Sequence, residues 1–189
     1  MPGSFYDENE KNSSGKTKQK EKTMTAEIKN TCWVFGDGIS TDHITPGRYY
    51  HLRGDIPALA EHALEDANST FADQAKPGQI VVGGKNFGQG SSREHAALVL
   101  KERGIPAVIA ESFARIFFRN MVNVGIIPIT CCTAGFQTGD ELVIDLEGGR
   151  VKNLTRDLSV SFAPLPSIMR DILASGGLVP YVTEHGGLT

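Results

Sequence analysis

From the amino terminus, the chain holds back its first apolar run until Cys32-Trp33-Val34-Phe35, which Gly36-Asp37-Gly38 closes. A short apolar run bounded by turn residues predicts a buried strand entering a loop. Ahead of it, residues 1–30 are polar and charged, with the run Lys16-Thr17-Lys18-Gln19-Lys20-Glu21-Lys22 and almost no large apolar side chain. Such a segment buries too little to offset the entropy of ordering it, so a disordered leader is expected, followed by a single domain over residues 31–189. Met24 is an alternative start, and a short docking arm is the competing reading of the leader.

The centre of the chain alternates strand and helix patterns. Lys76-Pro77-Gly78 marks a turn, Ile80-Val81-Val82 a buried strand, and Gly83-Gly84-Lys85-Asn86-Phe87-Gly88-Gln89-Gly90 a glycine-rich loop. Ser91-Ser92-Arg93-Glu94 has the spacing of a capping box, which predicts a helix with Ser91 accepting from the Glu94 amide and Gly104 as its left-handed stop. Ile105 to Ala110 reads as a second strand. Ser112 is placed to cap a further helix whose Phe113, Ile116, Phe117, Met121 and Val124 recur at helical spacing until Gly125, and Ile126 to Ile129 follows as a third strand. Beyond it, Glu141 to Leu146 and Val151 to Leu154 flank Gly148-Gly149 as a hairpin. A short helix at Ser167 to Leu173 stops at Gly176-Gly177, leaving Leu178 to Val182 extended. Parallel crossovers followed by a hairpin predict an α/β fold with a mixed sheet.

A net charge of −3 and a pI near 5.9 argue against a nucleic-acid partner or an anionic membrane surface. No apolar run approaches the roughly 20 residues of a spanning helix, and the amino terminus lacks the apolar stretch of a secretory signal, so the expected location is cytoplasmic. Cys32, Cys131 and Cys132 form no spaced framework, and an adjacent pair is poorly built to close a disulfide or chelate one metal.

Two loops carry candidate chemistry. The first, Gly36 to Tyr49, gathers Asp42 and His43 with hydroxyls; Asp42 and Ser40 also read as turn and cap residues, and His43 as an imidazole bonded to backbone. Arg48 and Arg53 follow it, two guanidiniums able to fork onto a dicarboxylate or simply to sit in solvent. The second is the glycine-rich loop before Ser91, where open amides and a helix start would suit an anion, or where serine simply caps a tight turn. Arg93 favours the ligand reading, because a cation in a first helical turn opposes the helix dipole. Neither a nucleotide P-loop nor a nucleophile elbow fits these letters.

Three strings in order, Gly36-Asp37-x-Ile39-x-Thr41-Asp42-His43-Ile44, Asn86-Phe87-Gly88-x-Gly90-Ser91-Ser92-Arg93-Glu94-His95-Ala96 and Ser112-Phe113-Ala114-Arg115-Ile116-Phe117-x-Arg119-Asn120, closely resemble the swivelling domain of the aconitase superfamily, over nearly everything from Trp33 to Val182. The resemblance implies a three-layer β/β/α domain. A free chain of this size is similar to the small subunits of hydro-lyases that act on 2-alkylmalate-type acids, with 3-isopropylmalate favoured on family frequency and homoaconitate, methylmalate or dimethylmalate as alternatives. It further implies that Ser91 is the base, that Arg53, Ser92 and Arg93 bind substrate carboxylates, and that Asp42 and His43 support the site. The family's hydroxyl loss needs one iron of a 4Fe-4S cluster held by three cysteines, a pattern this chain lacks, so a large cluster-bearing subunit is the implied partner. Thr41-Asp42-His43-Ile44 is nearer to aconitase proper than to free small subunits, which often carry another residue where His43 stands, and Tyr49-Tyr50-His51-Leu52-Arg53-Gly54 occupies the loop that reads the variable substituent. From another class, a non-catalytic anion-binding module would be expected to have lost Ser91, Arg93 or Arg53, all of which are present.

Overall fold

The computed structural model describes residues 27–187. Its seven strands are β1 (Glu27–Val34), β2 (Ile80–Gly83), β3 (Ala107–Ala110), β4 (Ile127–Thr130), β5 (Glu141–Asp145), β6 (Arg150–Asn153) and β7 (Leu158–Ser161), in the spatial order β4-β3-β2-β1-β5-β6-β7. β1 to β4 are parallel neighbours, and β5 to β7 run antiparallel on the other side of β1. β1 serves both halves with different residues: Glu27 to Thr31 pair with β5, and Cys32 to Val34 pair with β2. That handover lets the antiparallel half curl over one face of the parallel half.

Alternation along the strands then separates two cores. Ile80 and Val82 of β2 and Ala107 and Ile109 of β3 face Leu142, Ile144 and Val151 of the antiparallel half. Val81, Val108 and Ala110 face the opposite way, onto helices. Consecutive parallel strands lying side by side in chain order place their crossovers on one face, and there sit α1 (Thr41–Ile44), a 3-10 turn (Gly47–Leu52), α2 (Ile56–Ala60), α3 (Phe71–Gln74), α4 (Glu94–Glu102) and α5 (Arg115–Val124). α6 (Ser167–Ala174) and α7 (Leu178–His185) pack Ile172, Leu173 and Tyr181 into the other core. The layering is therefore the expected β/β/α, and each fully buried large side chain such as Phe87, Phe117 or Leu142 contributes about 2 kcal/mol.

Gly104 and Gly125 stop α4 and α5 with φ of 72° and 87°, as their sequence context predicts. Other expectations are corrected. The tail read as extended is α7: Pro180 lies in its first turn, where a missing amide costs no helical bond. β7 is an addition to the expected strands: Leu158 and Val160 alternate with Ser159 and Ser161, and the strand pairs antiparallel with β6. Most of the polar leader lies outside the described residues; of it, Glu27 to Asn30 begin β1. No helix among the described residues is long and apolar enough to cross a membrane.

Candidate active site

Three loops leave the carboxyl ends of β1, β2 and β3, the edge where open α/β sheets carry ligands. They are laced together by backbone. The loop after β2 exchanges bonds with both neighbours, with Gly38 N to Lys85 O at 2.8 Å, Gly88 N to Ile39 O at 2.7 Å, Thr41 N to Gln89 O at 2.8 Å and Phe87 N to Ser112 O at 2.9 Å. Side chains complete the lacing: Asp37 Oδ1 accepts from the Lys85 amide at 2.7 Å and Ser112 Oγ from the Asn86 amide at 2.9 Å. Gly88 is required here because a Cβ would come within 2.1 Å of Phe117 at φ +78°.

This lacing changes the role of the glycine-rich loop. The amides of residues 84–88 are spent on its neighbours and that of Gln89 on the Asn86 carbonyl, so they do not form the open anion cradle the sequence suggested. The amides of Gly90, Ser91 and Ser92 make no hydrogen bond among the described residues, and both serines are exposed. Ser91 is not a helix cap either. Gly90 turns the chain at φ +106°, and α4 starts at Glu94 with Arg93 as its N-cap and no side-chain capping bond. Ser112 likewise holds Asn86 and leaves α5 without a side-chain cap.

The capping box lies on the first loop. Ser40 Oγ accepts from the His43 amide at 3.1 Å, and His43 Nδ1 accepts from the Ser40 amide at 3.1 Å. Accepting at Nδ1 places the ring proton of neutral His43 on Nε2. The box holds Asp42 in the first turn of α1, where its carboxylate pairs with the Arg93 guanidinium. That contact joins the loops after β1 and β2. Arg53, at the end of the 3-10 turn, lies with Cζ 4.8 Å from the Tyr50 ring centroid, and Arg93 Cζ lies 5.3 Å from the same centroid. Asp42, Arg93, Tyr50 and Arg53 therefore form one group beside Ser91 and Ser92. His43 is folded back into its box, and Arg48 belongs elsewhere, bonded to Glu65 and Asp66 and lying over Tyr49. The Asp66 bond is the main cause holding the Arg48 guanidinium above its usual range.

The sequence marks Tyr50 only as one letter of the Tyr49–Gly54 loop; its place three residues before Arg53, one turn of a 3-10 helix, is the signal that pairs the two. Among the described residues Arg53 makes no ion pair; its Nη1 reaches only the Tyr50 carbonyl, at 3.4 Å. An open groove lined by Asn30, Thr31, Trp33, Asp73, Lys76 and Gln79 lies at the opposite edge of the parallel half. Its polar groups satisfy one another, with Trp33 Nε1 to Gln79 Oε1 at 2.8 Å and Gln79 Nε2 to Thr31 Oγ1 at 2.7 Å. A cluster does not fit the chain's donors. Burial pushes the Cys32 thiol up to about 12 and Cys131 to about 11, so both stay protonated at neutral pH, and no group of three His, Cys, Asp or Glu among the described residues could hold a metal.

The aconitase C-terminal domain family matches residues 5–134. The chain belongs to that family. A 3-isopropylmalate dehydratase small subunit of Archaeoglobus fulgidus is 54% identical over 156 residues, 82% of this chain and 94% of that protein. An isopropylmalate/citramalate isomerase small subunit of Methanocaldococcus jannaschii is 48% identical over 163 residues, 85% of this chain and 96% of that protein. The crystal structure of a 3-isopropylmalate dehydratase from the same organism superposes with a TM-score of 0.81 at 41% identity, covering 85% of this chain and 95% of that one. The aconitase-type fold expected from the three strings is thus the fold observed, and the relatives named as small subunits imply a large-subunit partner.

Proposed function

We propose that this chain is the small subunit of a two-subunit hydro-lyase that interconverts 3-isopropylmalate and 2-isopropylmalate through the unsaturated acid, in the cytoplasm and in the service of leucine synthesis. The observation that carries it is the group of two guanidiniums, Arg53 and Arg93, gathered on Tyr50 with one carboxylate, Asp42, beside the exposed Ser91. An excess of forked donors at a loop edge suits a dianionic acid. Relatives named for 3-isopropylmalate support the choice of substrate; the relative named for isopropylmalate and citramalate makes citramalate the second candidate.

In this reading Ser91 Oγ, as the alkoxide, takes the proton alpha to a substrate carboxylate. The C–H electron pair moves into that carboxylate, and Arg93, with the unbonded amides of Gly90 to Ser92, holds the developing charge. Arg53 and the Ser92 hydroxyl fix the carboxylates, and Asp42, set by the Ser40–His43 box, orients Arg93. The 4Fe-4S cluster of the large subunit supplies the Lewis acid for hydroxyl loss.

The test is reconstitution. This chain mixed anaerobically with a cluster-loaded large subunit is expected to turn over 3-isopropylmalate faster than citramalate or homoaconitate, while neither subunit alone is active. No turnover of any of the three acids by a complex shown to assemble contradicts the reading.

A further inference from the structure

Tyr50 is 49% exposed, and among the described residues its hydroxyl makes no hydrogen bond, so neither burial nor hydrogen bonding by its phenol accounts for its place. What it does contact is charge. Arg53 reaches it through local geometry: a 3-10 turn has three residues per turn, which eclipses positions three apart, and the Arg53 amide bonds the Tyr50 carbonyl at 3.2 Å. Arg93 reaches the same ring from a different element, the loop after β2, with the two Cζ atoms 4.8 and 5.3 Å from one centroid. Two guanidiniums so placed repel. Asp42 offsets the charge of Arg93, and among the described residues no carboxylate offsets that of Arg53. The negative face of the ring attracts both cations without using their N–H donors, which a carboxylate would occupy.

We propose that Tyr50 is a positioning residue that holds Arg53 beside Arg93 with most of their fork donors open, and so sets affinity for the acid, while the Asp42 pair keeps Arg93 in place for the proton transfer. The inference rests on the reading of both arginines as carboxylate donors. It requires the aromatic face and not the phenol hydroxyl. Phenylalanine should therefore serve in its place, and an aliphatic residue of similar bulk should not.

The experiment is steady-state kinetics with 3-isopropylmalate on the reconstituted two-subunit complex, comparing Tyr50→Phe, Tyr50→Leu, Tyr50→Met, Arg53→Gln and the Tyr50→Leu/Arg53→Gln pair. Tyr50→Phe is expected to match the parent. Tyr50→Leu and Tyr50→Met should raise KM on the order of tenfold, two cation–π contacts' worth, with kcat changed by less than about threefold. In the Arg53→Gln background the leucine substitution should add less than it does alone. An unchanged KM in both aliphatic variants, with Arg53→Gln impaired, overturns the role of Tyr50 and leaves the carboxylate reading standing. An unimpaired Arg53→Gln overturns that reading and the proposal with it. A Tyr50→Phe loss equal to that of leucine assigns the effect to the hydroxyl, and a fall in kcat at constant KM assigns Tyr50 to chemistry; either result also overturns the proposal.

Discussion

Two aspartate–arginine pairs in this molecule have the same chemistry and opposite surroundings. Asp140, which precedes β5, has a side chain only 3% exposed and takes Arg156 Nε, Asn153 Nδ2 and the Gln137 amide on one oxygen, at 2.7, 2.7 and 2.8 Å. Asp42, in the loop after β1, is 55% exposed and takes a single Arg93 nitrogen. The first pair is saturated and closes the antiparallel half on itself. The second leaves most of a guanidinium fork open beside another arginine. Under the proposed function, donor surplus at a loop edge, and not the presence of an ion pair, separates the binding group from the structural clip.

The comparison breaks if the two aspartates respond alike to removal. Asp140→Ala strands three buried or half-buried donors and should cost about 3 kcal/mol of stability, read as a lower urea midpoint at unchanged slope. Asp42→Ala removes an exposed pair and should change stability by less than about 1 kcal/mol, yet lower kcat/KM of the complex on the order of tenfold through a misplaced Arg93. Equal losses of stability would return Asp42 to a purely structural role.

A smaller effect is expected from pH. Burial alone would raise the Asp140 carboxyl, but the bonds from Asn153, the Gln137 amide and Arg156 outweigh it and hold the group below its ordinary range. Between the folded value and the ordinary value of about 4, the unfolded chain binds the proton and the folded chain does not, so stability rises with pH across that window. The stabilisation is complete above it and is lost as pH falls through the folded value. The advantage of the parent over Asp140→Asn in urea titrations should hold from neutrality to about pH 4 and shrink below. An advantage independent of pH would remove Asp140 as the titrating group.

Much of the fold was legible because its signals are local. The valine and isoleucine runs of β2 to β4 stand between turn residues, and Gly148-Gly149 sits in the hairpin it predicts. What escaped has two sources. β7 is a four-residue strand whose alternation of Leu158 and Val160 with serines is too short to stand out, and Tyr50 acquires its second cation only when the loop after β2 packs beside α1. The capping signal at Ser91 was misread for a related reason. Its spacing is right, but Arg93 N bonds Ser91 O at 2.7 Å and Gly90 takes a positive φ, which keeps the serines outside α4. Ser40 and His43, separated by the same spacing, form the box the pattern describes. The lacing of three loops decides what each of these residues can do.

That finding makes Ser91 a clean target, because a serine that caps nothing can be replaced without disturbing α4. The most direct measurement is exchange of the alpha hydrogen of 3-isopropylmalate with solvent deuterium, followed alongside single-turnover dehydration, in the reconstituted complex carrying Ser91→Ala or Ser91→Gly. Both variants should melt within about 0.5 kcal/mol of the parent, the range of surface substitutions, and both should lose exchange and turnover by at least about a hundredfold while still binding the acid. Exchange at the parent rate in both variants would contradict Ser91 as the base and move the search to the partner subunit.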